Sequence, residues 1–184
     1  MDPTTLKSII VCYTGGSCGD IITALIDPRD AVFKGSAVMH HAHRQQLKKP
    51  HLFDGDAKRN QYLHNIGQQY LSVPSHDLEY HLRQAHDFIT IAVTPSTALW
   101  AAERFRALHR PHVWHEMQQA CGATSIEDYA QIMIDYSNMV RQHTKKVINL
   151  DYILDGSAAD IVQSYTGQSP LGQDFYAQWL QLQT

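Results

Sequence analysis

Long apolar runs, an excess of positive charge and an even set of cysteines are all missing from this chain of 184 residues. No apolar stretch approaches the roughly 18 residues that a membrane-spanning helix needs, so no such helix is expected. Lys and Arg number 15 against 18 Asp and Glu, a formal net charge of −3, which gives no global attraction to nucleic acid. The basic cluster of His43, Arg44, Lys48 and Lys49 is local. With 3 cysteines at least one must be unpaired, which argues for a reducing compartment rather than a disulfide framework. The opening Met1-Asp2-Pro3-Thr4-Thr5 lacks the basic start and apolar core of a signal peptide, so a cytoplasmic location is expected. Internal repeats, low-complexity tracts and linkers are also missing. What remains, 43% apolar and 18% charged residues, is the composition of a globular protein, and the length suits one domain over 1–184.

Within that domain the apolar runs alternate with helical spacing. Ser8-Ile9-Ile10-Val11-Cys12-Tyr13 is nearly all apolar and rich in β-branched residues, the pattern of a strand buried on both faces. Asp20 offers a cap for a short helix through Ile21, Ile22, Leu25 and Ile26, ended by Asp27-Pro28. Residues 31–69 are polar and read as a helical cap inserted after that helix, with helices near 38–47 and 57–68 and no sheet. Further strands are expected at Tyr70-Leu71-Ser72-Val73, at Phe88 to Val93 and at Lys146 to Leu150, with helices over 77–86, 97–108, 158–165 and 173–182 and helical spacing over 111–142 that breaks at Gly122 and restarts at Ser125-Ile126-Glu127-Asp128. Such alternation predicts an α/β fold with a parallel sheet of four or five strands covered by helices on both faces. Ligands in these folds sit beyond the carboxyl ends of the strands, an edge that here includes residues 14–19, 74–77, 94–96 and Asp151.

The first of these loops carries the clearest chemistry. Gly15, Gly16 and Gly19 fall within five residues between a strand and a helix, where outward backbone N–H groups and the helix dipole attract an anion. Thr14 and Ser17 could add hydroxyl donors. The triphosphate-binding motif G-x-x-x-x-G-K-[ST] is not met, because Gly15 and Gly19 are one residue too close and Asp20 and Ile21 follow.

In position and in its small residues, Tyr13-Thr14-Gly15-Gly16-Ser17-Cys18-Gly19-Asp20 resembles the first loop of the sulfotransferases, which share the P-loop nucleotide-binding fold. Pro74-Ser75-His76 lies where that family carries K-T-H, and Thr94-Pro95-Ser96 follows the third strand, where the family holds the 3′-phosphate of its donor. The segment Phe175-Tyr176-Ala177-Gln178-Trp179 is similar to the last helix of short bacterial and phage members. The resemblance implies a P-loop architecture and transfer of a sulfuryl group from phosphoadenosine phosphosulfate to a hydroxyl or amine acceptor. It also implies His76 as base, with Thr14, Gly15, Gly16, Ser17, Cys18, Gly19 and Ser96 holding the donor. Gly15 and Pro74 stand where the family has lysine, and no arginine follows directly on the third strand.

Two alternatives accompany this expectation: a nucleotide or nucleoside phosphotransferase of the same fold, and a binding protein that has lost the donor-site lysines. A nucleotide-sugar transferase would need about twice this length. His40, His41 and His43 read as part of a solvated or substrate-facing cap, and His109, His112 and His115 as a polar rim interrupted by Pro111, neither set with metal-ligand spacing. Cys18, beside a helix start, reads as a small loop residue, with a redox-sensitive thiol as the sharper option.

Overall fold

The computed structural model describes residues 7–28, 31–34, 37–40, 70–76 and 88–183. In chain order its elements are β1 (Lys7–Cys12), α1 (Gly19–Ile26), β2 (Ala31–Lys34), β3 (Ala37–His40), β4 (Tyr70–Ser75), β5 (Phe88–Ala92), α2 (Pro95–Leu108), α3 (Pro111–Cys121), α4 (Ile126–His143), β6 (Val147–Asn149), α5 (Leu150–Leu154), α6 (Ala158–Thr166) and α7 (Gln173–Gln181). Strands β1, β4, β5 and β6 form a parallel sheet in the order β4-β1-β5-β6. This is the expected parallel α/β arrangement, and each strand starts within one residue of its sequence assignment.

The continuous apolar character of β1 follows from burial on both faces. Ile9 and Val11 enter a large cluster with Ile21, Ile22 and Leu25 of α1, while Ile10 and Cys12 meet Phe88 and Val140 of α4 in a smaller one. Every residue of β5 is buried. Pro74 sits inside β4, paired with Val11 in register, although the sequence pattern ended the strand there. Among the described strands β4 is at the sheet edge, where a residue without an N–H donor breaks no ladder on its outer side.

The chain leaves β1 toward β4 on one side and returns to β5 on the other. The strand order therefore reverses beside β1, the position at which folds of this class bind ligands beyond the strand ends. Helix α2 starts at that edge with Thr94 as its N-cap, in a reciprocal capping arrangement with Thr97. Helix α4 begins after Ser125, whose hydroxyl accepts the Asp128 N–H at 3.1 Å. Its Ser137 reaches back to the sheet, accepting the Val93 N–H at 2.9 Å and donating to the Met133 carbonyl at 2.7 Å.

The inserted segment departs from its sequence reading. Residues 31–40 hold an antiparallel pair, with Ala31 opposite His40 and Lys34 opposite Ala37, rather than the start of a helix. The overlooked signal is local: Ala-Val-Phe-Lys and Ala-Val-Met-His flank Gly35-Ser36, a two-residue connection of the kind that joins hairpins, and valine favours strands. Val38 is buried in the main core, and Phe33 stacks on Phe175 of α7 at 4.2 Å. The remaining cap helices, expected near 57–68, and the helix over 77–86 lie outside the described residues, as do His41 and His43.

Candidate functional site

At the carboxyl end of β1 the chain turns through Thr14 to Cys18 before entering α1. The Ser17 N–H and hydroxyl both donate to the Thr14 carbonyl, at 3.1 and 2.7 Å, and close the turn from within. Gly16 has φ +91, and Cys18, at the N-cap of α1, has φ 63, a left-handed conformation rare outside glycine. No hydrogen bond among the described residues engages the N–H groups of Gly16, Cys18 or Gly19.

The glycines also have a packing reason. A Cβ on Gly15 would lie 2.5 Å from the Phe105 ring, one on Gly16 2.0 Å from the Ala101 carbonyl oxygen, and one on Gly19 2.0 Å from the Tyr13 ring. Helix α2 therefore lies directly across the loop. Tyr129 of α4 secures the contact, its hydroxyl donating to the Gly15 carbonyl at 3.2 Å.

Above the loop is a pocket of about 320 Å3 lined by Gly15, Gly16, Cys18 and Gly19, with His76 after β4 and Arg104 and His109 from α2 and its C-cap. Ala37 and Val38 of β3 form part of its wall. Five of the expected site residues thus converge: Gly15, Gly16, Cys18, Gly19 and His76. Thr14 and Ser17 belong to the turn but do not line the pocket. Ser17 is fully buried with its hydroxyl directed at the Thr14 carbonyl, so it is not turned toward a ligand.

Ser96 belongs to a neighbouring group. Its hydroxyl lies 2.7 Å from the Thr94 hydroxyl and 3.3 Å from Asp151 Oδ1, while Thr94 donates to Asp151 Oδ2 at 2.8 Å. These bonds tie the loops after β5 and β6 together at the same edge. Of the second histidine triplet, His112 and His115 are exposed on α3, and among the described residues no three potential ligands converge on a metal position.

Arg104 is the residue that sequence reasoning missed. Its guanidinium lies 5.3 Å from the Trp100 ring and 5.8 Å from the Trp179 ring, and Nη1 donates to Gln183 Oε1 at 2.9 Å. The stacked indoles hold the cation at the pocket wall. The available signal was the i, i+4 series Trp100, Arg104, Leu108, which puts the arginine on one face with aromatic and apolar partners.

Asp20 does not cap α1, contrary to the sequence reading. It sits within the first turn, the N-cap is Cys18, and no side-chain bond caps the helix. Its carboxylate instead receives the hydroxyl of buried Tyr13, whose pKa is driven up by burial and then by the charge and hydrogen bond of Asp20. An acidic residue here also suits the positive end of the helix.

His76 is exposed, and its Nδ1 lies 2.6 Å from the Tyr13 carbonyl oxygen, with its ring edge-on to the Tyr13 ring at 4.4 Å. A carbonyl only accepts, so Nδ1 carries the proton and the basic lone pair of the neutral ring falls on Nε2.

Cys18 is not an activated thiol. Burial pushes its pKa up to about 11; the charge and hydrogen bond of Arg104 pull it down, and Asp20 adds to the rise. Alkylation of Cys18, followed by peptide mass mapping, is expected to accelerate about tenfold per pH unit from about pH 8 to 10 and to level off only near pH 11. A plateau below about pH 9 would mean that the helix end stabilises the thiolate after all.

No protein-family profile, no curated protein and no solved structure matches the chain. The functional reading therefore rests on the chain's own residues.

Proposed function

We propose that the chain is a transferase that binds an anionic nucleotide-type donor over the glycine loop and passes its sulfuryl group to a hydroxyl or amine acceptor, in the manner of P-loop sulfotransferases. The observation that carries this reading is the convergence of the loop, Arg104 and His76 on one pocket at the carboxyl edge of a parallel sheet. The residues suit such a donor: amides of Gly16, Cys18 and Gly19 have no hydrogen-bond partner in the described structure, and a fixed guanidinium stands beside them. The donor, phosphoadenosine phosphosulfate, would bring an activated sulfuryl group. His76 Nε2 would take the proton of the acceptor hydroxyl as its oxygen bonds to sulfur. Arg104 and the loop amides would meet the charge left on the departing phosphate oxygen.

The balance of charge favours sulfuryl over terminal phosphoryl transfer. Arg104 is the permanent cation among the described lining residues, and Asp20 opposes it. An esterified sulfuryl group carries one negative charge and a terminal phosphoryl group up to two, so the former needs less compensation. The second reading, a binding protein without chemistry, draws support from the packing of the loop glycines, which accounts for each of them without a ligand.

Phosphoadenosine phosphate at millimolar concentration is expected to raise the melting temperature of the wild-type protein. Arg104→Gln is expected to weaken that binding about tenfold or more, the effect of losing a charge-assisted hydrogen bond. If neither this ligand nor sulfate shifts the melting temperature, the transferase reading loses its donor site and the non-catalytic reading replaces it.

A further inference from the structure

We infer that His109 is a second ligand-contacting imidazole of this pocket, binding an oxygen of the anionic donor through Nε2. The inference rests on the pocket being the donor site.

His109 is the C-cap residue of α2 and lines the same pocket as the glycine loop, Arg104 and His76. Its Nδ1 lies 2.8 Å from the Phe105 carbonyl oxygen, and its ring stacks on the Phe105 ring at 4.2 Å. That ring in turn lies where a Cβ on Gly15 would be. The imidazole is therefore braced on its Nδ1 side and on one face by the residue that seats the loop.

The Nδ1 contact fixes the proton arrangement as it does in His76, because a carbonyl oxygen can only accept. Nε2 is the far nitrogen of the braced ring. It donates to an anion's oxygen as the imidazolium, in which both ring nitrogens carry protons. The two histidines arrive from strands on either side of β1, His76 after β4 and His109 at the end of the helix that follows β5. Each is anchored by Nδ1 to a backbone carbonyl, of Tyr13 and of Phe105 respectively. The ionisable groups sharing the pocket with them are Tyr13, Cys18 and Asp20 from the loop and α1, and Arg104 from α2. With His76 assigned to the acceptor proton, His109 on the α2 wall is placed with Arg104 on the donor side.

Two substitutions separate this role from a purely structural one. Asparagine can reproduce the Nδ1 donor toward the Phe105 carbonyl but has nothing at the Nε2 position; glutamine reaches the Nε2 position and gives up the Nδ1 bond. The measurement is phosphoadenosine phosphate affinity by titration calorimetry for wild type, His109→Asn and His109→Gln, with a thermal melt of each. His109→Asn is expected to melt like the wild type yet bind about tenfold more weakly, while His109→Gln retains affinity within about threefold. Wild-type affinity in His109→Asn, or equal loss in both variants, overturns the role of His109 while leaving the donor site standing. Absence of binding by the wild type overturns the donor site, and the assignment of His109 with it.

Discussion

Gly16→Val is expected to destabilise the fold by about 4 kcal/mol, measured as the change in urea midpoint at constant slope. Two effects add. A β-branched residue held at φ +91 costs about 1–3 kcal/mol in backbone strain. A Cβ placed 2.0 Å from the Ala101 carbonyl oxygen, an atom fixed in the backbone of α2, forces the loop and helix apart, for another 1–3 kcal/mol or so. Against a total stability of about 5–15 kcal/mol, such a loss is large enough to unfold a sizeable fraction of the protein near its working temperature. Gly122→Ala is the control. Gly122 shares a positive φ of 75 as the C-cap of α3, but a Cβ there meets nothing within 4 Å, so strain acts alone at about 1 kcal/mol. If Gly16→Val melts like the wild type and loses only anion binding, the glycine serves the ligand rather than the joint.

That prediction rests on a feature legible in sequence only by half. Three glycines between an apolar run and a helical spacing fix a close approach at that point, but not what approaches. The structure supplies Ala101, Phe105 and Tyr13 in answer. The central strands β1 and β5 were legible because their apolar residues are buried on both faces, so Phe88 to Ala92 needs no alternation to declare itself. The hairpin at 31–40 was not, since its four-residue strands carry no run long enough to outweigh the polar surroundings, and only Gly35-Ser36 marked it.

Arg104 was hidden for a different reason. A cation for the donor was sought directly after β5, at the start of α2, whereas Arg104 stands nine residues beyond Pro95, about 14 Å along the helix. It reaches the pocket because α2 crosses the loop through Ala101 and Phe105, which carries the neighbouring turn of the helix to the loop's mouth. Propensity and spacing within α2 contain no record of that crossing. Ser96 illustrates the converse: it sits at the expected edge by position, yet its hydroxyl is turned into the Thr94 and Asp151 group.

His76→Asn is expected to lower the transfer rate by about 10²–10⁴-fold while phosphoadenosine phosphate affinity stays within about threefold. Asparagine can keep a donor toward the Tyr13 carbonyl, the contact that His76 makes through Nδ1 at 2.6 Å, so the loop after β4 retains its tie to the end of β1. What it lacks is the second nitrogen, whose lone pair would take the acceptor proton. An effect confined to turnover, with melting temperature and donor affinity preserved, is therefore the signature of a base and not of a brace. The measurement follows labelled sulfuryl from phosphoadenosine phosphosulfate to a panel of phenols, alcohols and amines, with wild type and variant compared on the best acceptor. Transfer within about tenfold of wild type would remove His76 from the chemistry, because a lost general base costs more than that. A fall in donor affinity with turnover at saturating donor unchanged would instead assign His76 to holding the loop, since an interaction made equally with bound donor and transition state changes binding and not turnover.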